Sequence, residues 1–331
     1  MKVLIPVAGI GSKLRPHTHT QPKTLVPIAG KPILAHIIDN FYAHGFDEFV
    51  FVLGYLGDKI ESYIKQNYPE LKTIFVTQEP REGLAHAIWT AREHLDPEEP
   101  LMIVLGDTIA TFNMQAMRNS PNTVVAVQKV ETPEQFGIVE TDAHGYVTKM
   151  TEKPLIPKSN LALVGVYKIK HVGKLLTAIE HIIQNNLRSN NEYHLTDALA
   201  YLLAQGENIA ITMVDNWFDC GKKETLLEAN AILLNNPTFK VPPKDYLGTI
   251  IVPPVSIGQG CRIEHSIIGP NVAIGDNTTL RRSIVQNSII GSYSELEDVV
   301  LKASVIGNDS SLKGMIQSLN IGDNTEINFG K

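Results

Sequence analysis

Residues able to do chemistry gather first in a short glycine-rich turn, Ala8-Gly9-Ile10-Gly11-Ser12-Lys13-Leu14, just after the apolar run Lys2–Val7. Such a run reads as a buried parallel strand, and a glycine turn at its end lets backbone N–H groups approach a polyphosphate closely. By itself the turn serves equally well as a tight strand-to-helix connection. Two familiar phosphate-loop patterns are absent. The third glycine of a dinucleotide fingerprint is missing, and no Gly-Lys-Ser/Thr closes the loop as in a Walker sequence. A second focus is Asp107, which follows the apolar run 101–105 and Gly106. That places it at the carboxyl edge of a strand, where open α/β sheets bind ligands, although an aspartate there also caps the next segment. The eleven histidines offer no metal-ligand spacing: His17 and His19 alternate with threonines beside the loop, and His194 reads as a polar residue at a helix start. Cys220 and Cys261 provide neither a disulfide framework nor a zinc pair, so no structural metal is expected.

The elements that must position these residues alternate in type. Apolar residues at 33, 34, 37, 38 and 41 have helical spacing; then come a strand at 49–53, a helix near 57–67, a strand at 73–77, a helix near 84–94 and a strand at 101–105. This alternation is that of a doubly wound parallel sheet. After residue 120 strands lie closer together, at 123–130, 137–141, 146–151 and 163–169, with a helix at 171–186. An α/β core with a mixed-sheet extension that holds a substrate follows. A helix at 195–205 and a strand at 209–214 precede Trp217-Phe-Asp-Cys-Gly221, and Lys223–Leu234 has a helical pattern.

Pro237, Pro242, Pro243, Pro253 and Pro254 then punctuate the chain and mark a boundary near 236–250. Beyond it Ile-Gly pairs at 257, 274, 290, 306 and 321 step by 17, 16, 16 and 15 residues. Within each period apolar positions recur six apart, as at 257/263, 268/274/280, 290/296, 306/312 and 321/327. One aliphatic residue in six gives each short strand of a three-sided solenoid a single inward side chain. A β-sandwich would instead need two-residue alternation and hairpin turns. The pattern resembles the left-handed parallel β-helix of hexapeptide-repeat proteins, with about five coils.

The continuation of the glycine turn carries a more specific likeness. Gly9-Ile-Gly11-Ser-Lys-Leu14 is followed by Pro22-Lys-Thr-Leu-Val-Pro27 and Lys31-Pro-Ile33. This resembles the signature of sugar-1-phosphate nucleotidyltransferases, a Gly-x-Gly-Thr-Arg-Leu loop, then Pro-Lys-x-Leu-x-Pro, then Lys-Pro-Ile. Further matches follow in family order: Gln78 with Gly83-Leu-Ala, Leu105-Gly-Asp107, Phe136-Gly-Ile-Val-Glu140, Glu152-Lys-Pro154, Leu195-Thr-Asp197 and Trp217-Phe-Asp-Cys-Gly221. With the solenoid, the resemblance covers essentially the whole chain. It implies a Rossmann-like, doubly wound mixed sheet followed by a left-handed β-helix. The corresponding domains are a catalytic domain at 1–236, a linker at 237–249 and the β-helix at 250–331.

The implied reaction couples a nucleoside triphosphate to a sugar 1-phosphate and releases pyrophosphate. Alignment and charge neutralisation carry such a transfer, with no protein nucleophile. Mg²⁺ prefers carboxylate and phosphate oxygens, and Asp107 and Asp219 are the expected ligands. Each also has a reading as a turn aspartate. The resemblance makes Lys23 the contact to the attacking and transferred phosphates, a role suited to a compact ammonium. Ala8, Gly9, Gly11 and Ser12 would line the triphosphate, Gln78 would pair with the base and Gly83 would leave room for it. Gly137 and Glu152 match sugar-hydroxyl contacts and Lys153 a sugar-phosphate contact; the structural alternatives are a strand bulge and a solvated ion pair. Lys13 departs from the family, replacing the arginine that grips the triphosphate, as Ser12 replaces threonine. The charge survives but the bidentate fork does not. Loop residues 5–11 look like uridylyl-type enzymes and the remainder like thymidylyl- or guanylyltransferases; Gln78 alone favours UTP or dTTP.

The chain has 331 residues with 29 Lys+Arg against 35 Asp+Glu, a net charge of −6, and 43% hydrophobic residues. That balance lacks the basic footprint of nucleic-acid binding, and no apolar run suits a membrane span or a signal peptide. A cytoplasmic homo-oligomer is expected, since a flat solenoid side buries itself on a neighbouring copy. Two other functions compete: a regulatory paralogue that binds nucleotide-sugars without turnover, favoured by Lys13, and a bifunctional enzyme with an acyltransferase β-helix, disfavoured because His265 is the only histidine there.

Overall fold

The computed structural model describes residues 1–235, 246–314, 316–317 and 320–328. Most of the expected linker, 237–245, lies outside them, as does the end of the expected β-helix, 329–331. The chain forms two compact units that cut across the expected boundary: Met1–Gly9 with Ile37–Trp217, and Ile10–His36 with Phe218–Lys331.

The first unit is a nine-stranded sheet. Its strands are β1 (Lys2–Val7), β2 (Glu48–Leu53), β3 (Lys72–Thr77), β4 (Leu101–Val104), β5 (Thr123–Lys129), β6 (Gly137–Thr141), β7 (Val147–Glu152), β8 (Leu161–Ile169) and β9 (Ile209–Met213). The order is β7-β6-β8-β4-β1-β2-β3, and β5 joins β8 to β9. β4, β1, β2 and β3 are parallel, with Leu4 opposite both Val50 and Ile103. β8 runs antiparallel to β4, β5 and β6, so the extension is mixed, as expected. Leu4, Val50, Val52 and Ile103 are fully buried because both faces of the parallel half are covered. The helices Val172–Gln184 and Leu195–Ala204 contribute Leu175, Ile179 and Leu199 to the same core.

Two elements of this unit escape the apolar pattern. The helix Met114–Asn119 is only six residues long, too short for a periodicity, and is started by Asn113, whose Oδ1 accepts from Ala116 N at 2.9 Å. The strand Thr108–Thr111 follows Asp107 directly. The helix expected near 84–94 ends at Thr90, and a 3₁₀ turn, Arg92–His94, completes it.

In the second unit three five-stranded parallel sheets make the three sides of a solenoid, consistent with the left-handed β-helix expected from the repeat. Every Ile of the 257, 274, 290, 306 and 321 series ends a strand on one side, in register with its neighbours. The six-residue step misses Val285 and Leu301, which stack on Ile268 inside a second side and are fully buried. From Leu280 to Val285 to Ile290 the step is five, and the coil keeps a length of about 16 residues. On the first side Ala273, Ile289 and Val305, which lie outside the solenoid core, are buried as well. There the helix Lys223–Leu234 packs over Val272–Ile274. On the second side Ile250, Ile284 and Val300 form an outward aliphatic column with Ile267.

Asn230 fixes the helix in this unit. It is fully buried; its Oδ1 accepts from Ala29 N at 2.8 Å and its Nδ2 donates to Asn271 O at 3.1 Å. Asn230→Ala strands a buried N–H and a carbonyl at once, and a loss of about 2 kcal/mol is expected from the cost of leaving such groups unmade. Equilibrium urea unfolding checks this, and an unchanged midpoint would mean that water replaces the amide.

Candidate active site

The loop after β1 is built from left-handed and 3₁₀ geometry. Ala8, just after β1 in the first unit, is held by Tyr55 N, which donates to its carbonyl at 3.3 Å. Gly54 passes so close that a Cβ there would lie 2.6 Å from the same oxygen. Gly9 is exposed, and a Cβ on it would meet nothing within 4 Å, so no protein contact fills the space above it.

In the second unit Gly11 has φ 68°, and a Cβ would fall 2.8 Å from the Lys23 Cβ. Its carbonyl accepts from Leu14 N at 3.0 Å and Thr18 Oγ1 at 2.9 Å, closing the turn Ser12–Leu14. Leu14 anchors the turn by burial, while Ser12 and Lys13 are exposed on its other side.

Lys23 starts another 3₁₀ turn, Lys23–Leu25, tied by Leu25 N to Pro22 O at 2.9 Å and Val26 N to Lys23 O at 3.1 Å. Its Nζ lies 3.8 Å from Asp219 Oδ1. Gly221 makes room for that pair, since a Cβ there would stand 2.8 Å from Asp219 Oδ1 and 3.1 Å from Lys23 Nζ. Thr225 Oγ1 donates to the Asp219 carbonyl at 2.5 Å, which holds the start of the following helix against it. Gly11, Lys23, Asp219 and Gly221, separated by up to 210 residues, are thus one cluster. An ammonium beside a carboxylate, next to a glycine turn, offers an anion a point charge and a hard cation an oxygen ligand.

Asp107 belongs to the first unit and is half-buried at the carboxyl end of β4. Its turn is pinned on every side. Leu105 N donates to Gly165 O at 2.9 Å, Gly106 N to Pro6 O at 3.3 Å and Thr108 Oγ1 to Val164 O at 3.2 Å.

A family model for nucleotidyl transferases matches residues 2–236, the span that contains every one of these side chains. The chain belongs to the nucleotidyl transferase family. It is 30% identical over 317 residues to the low-salt glycan biosynthesis nucleotidyltransferase of Haloferax volcanii, with 88% of this chain and 87% of that one covered. It is 29% identical to the glucose-1-phosphate thymidylyltransferase of Streptomyces griseus, again over 88% and 87%. The bifunctional protein GlmU of Methanocaldococcus jannaschii is 34% identical over 260 residues, and the match spans 61% of its length. Among solved structures, a UDP-glucose pyrophosphorylase complexed with UDP-glucose aligns with TM-score 0.61 at 25% identity, covering 70% of this chain and 97% of the other.

The remaining expected contacts of this nucleotidyltransferase lie in the first unit. Gln78 is buried, and its Nε2 donates to Gly83 O at 3.0 Å and to His86 Nδ1 at 3.1 Å. So oriented, the amide directs its hydrogens at protein atoms. Burial lowers the His86 pKa against the opposing pull of Glu82. Gly83 has φ 107°, and a Cβ would lie 2.6 Å from Tyr193 O, so the backbone of the 193 segment already requires glycine there.

Glu152 ends β7 beside Gly137, whose Cβ would stand 2.9 Å from Glu152 Oε2 and 3.0 Å from Thr196 Oγ1. Thr196 Oγ1 donates to that carboxylate at 2.7 Å, and His194 Nδ1 lies 3.6 Å from its other oxygen. Lys153 is exposed, in a left-handed conformation with φ 39°, its Nζ 3.8 Å from Glu152. His194 occupies the first position before its helix, but its side chain makes no capping bond and turns to Glu152 instead. Sequence patterns do not show this cluster because its members come from three segments. Trp217 packs edge-on against Phe136 at 5.1 Å, and its Nε1, His194 Nε2 and Asp197 Oδ2 are buried polar atoms with no hydrogen-bond partner among the described residues. Burial raises the Asp197 pKa.

Proposed function

We propose that this nucleotidyltransferase transfers a nucleotidyl group from UTP or dTTP to a sugar 1-phosphate in a Mg²⁺-dependent reaction. The observation that carries the reading is the Lys23–Asp219 pair beside the Gly11 turn, inside a chain whose relatives are named for this chemistry. A phosphate oxygen of the sugar forms a bond to the α-phosphorus; the bond from that phosphorus to the β-bridging oxygen breaks, and pyrophosphate leaves with its electron pair. Lys23 supplies positive charge to the phosphates, and the turn at Gly9 and Gly11 brings N–H groups to the triphosphate with no side chain in the way. The residues suit Mg²⁺: Asp107 and Asp219 are accessible carboxylates, and the ion characteristically takes one or two of these together with substrate phosphates. When bound, it neutralises phosphate charge as the transfer proceeds. Gln78 meets the base. Glu152, held by Thr196, meets sugar hydroxyls, and Lys153 the sugar phosphate.

The test is pyrophosphate release with Mg²⁺, each nucleoside triphosphate being paired with a panel of sugar 1-phosphates. Release should require both substrates and fall at least 10²-fold, as is typical when a charge-stabilising group is lost, in Asp107→Asn. Silence across the panel, with nucleotide-sugar binding intact, would favour the regulatory paralogue, for which the exposed Lys13 in place of arginine is the supporting feature. Lys13→Arg would then be the informative variant.

A further inference from the structure

One corner of the solenoid is a ladder in which each coil satisfies the coil before it. Gln259 N donates to Asp276 Oδ1 at 2.7 Å, Asp276 N to Ser292 Oγ at 3.1 Å, Ser292 N to Asn308 Oδ1 at 2.8 Å and Asn308 N to Asp323 Oδ1 at 2.8 Å. Beside each rung a glycine lets the next coil approach: a Cβ on Gly275 would lie 2.6 Å from Ser292 N, and one on Gly307 2.6 Å from Asp323 N. Gly322, the next glycine of this series, faces no further coil among the described residues. Its Cβ would meet Pro16, at 3.0 Å from the ring and 3.2 Å from the carbonyl carbon.

The segment that begins at Pro16 also makes the polar contacts of a missing coil. Thr20 Oγ1 donates to Asp323 Oδ2, and His17 Nε2 pairs with Asn320 Oδ1. His17 is buried by this packing. Asp323 thus spends one oxygen on the ladder and the other on the loop. A cavity of about 360 Å³ lies between residues such as Leu25 and Pro27 and the solenoid side at Ile274 and Ile290.

We propose that residues 16–20 are the cap of the β-helix, and that Asp323, Asn320 and Thr20 are positioning residues for the glycine turn and Lys23 on either side. A solenoid end needs a capping element, and here the element lies between the glycine turn and Lys23. Order in the last coil and order in the loop become one equilibrium. A ligand that needs the ordered loop binds more weakly in proportion to the fraction of molecules in which it is ordered. Only this binding consequence rests on the nucleotide reading given above.

The test is hydrogen exchange on the full-length protein without ligand. Asp323→Ala should speed exchange over residues 11–25 about tenfold, while Asp323→Asn, which keeps the ladder acceptor and can still pair with Thr20, stays near wild type. Exchange in β1 and in Val172–Gln184 should not change. Thr20→Val leaves the solenoid ladder whole and removes only the loop's donor, so it must also loosen 11–25; normal protection there in Thr20→Val would overturn the proposal even if Asp323→Ala unfolds the last coil. A second measurement adds UTP or dTTP with Mg²⁺. Apparent affinity should weaken in Thr20→Val by the same factor by which the ordered fraction of the loop falls, with kcat retained at saturation. If the wild type binds no nucleotide, the functional reading fails, and the ligand-free exchange still decides the cap.

Discussion

Lys23→Ala is expected to lower kcat by about 10²–10³-fold, the usual cost of removing one preorganised charge aimed at a transferring group. The ammonium is mostly covered, with a side-chain exposure of 15%, while Asp219 opposite it is 44% exposed. A pair that open to water contributes little to stability, so the variant should unfold with nearly wild-type cooperativity and midpoint. Lys23→Arg should not rescue it. A guanidinium is larger and planar, and the room beside the lysine nitrogen is small: even a Cβ on Gly221 would stand 3.1 Å from it. Pyrophosphate release at saturating concentrations of both substrates measures the effect; a loss below about fivefold would remove Lys23 from the transfer step.

The glycine turn and Lys23 are readable from sequence because they lie within fifteen residues of one another, where type and spacing survive as a motif. Asp107 is readable for a different reason, since an apolar run that stops at Gly106 predicts a strand end. The setting of Glu152 is not readable: Thr196 and His194 reach it from a helix 44 residues away, and nothing in either segment records the pairing. The solenoid shows an intermediate case. Its Ile-Gly corners announce the fold, but a strict step of six passes over Val285 and Leu301, because backbone turns shorten some sides by one residue. The grouping of residues 10–36 with the solenoid was hidden too, because it depends on pairs such as Asn230 with Ala29 that have no sequence period.

The largest effect on stability is expected from Gly291→Ala. A Cβ there would stand 2.5 Å from the Gly307 carbonyl carbon and 2.6 Å from Asn308 N. Both are backbone atoms of the next coil, so no side chain can rotate away, and the strands on either side are locked in register. The strain has to be taken up by separating two coils, which breaks the Gly291 N to Ile306 O bond at 2.9 Å and the Ser292 N rung on Asn308. A loss of about 4 kcal/mol or more is expected, in the range reserved for core overpacking and broken buried networks. Because each coil touches only its neighbours, the loss should appear as early unfolding of the solenoid, with the nine-stranded sheet melting later. Limited proteolysis during a urea titration distinguishes the two units, and a single unshifted transition would contradict the steric argument.

The contact between Asp323 and Thr20 also makes the solenoid a gauge of fixed length. Coils are added in steps of one strand spacing, roughly 4.8 Å, whereas a hydrogen bond tolerates only a few tenths of an ångström. Inserting or deleting one 16-residue repeat would carry the terminal carboxylate a whole step past the hydroxyl it meets, however well the altered helix stacked internally. Repeat number, ordinarily the easiest variable in a modular array, is therefore tied here to the position of a loop that begins at residue 10.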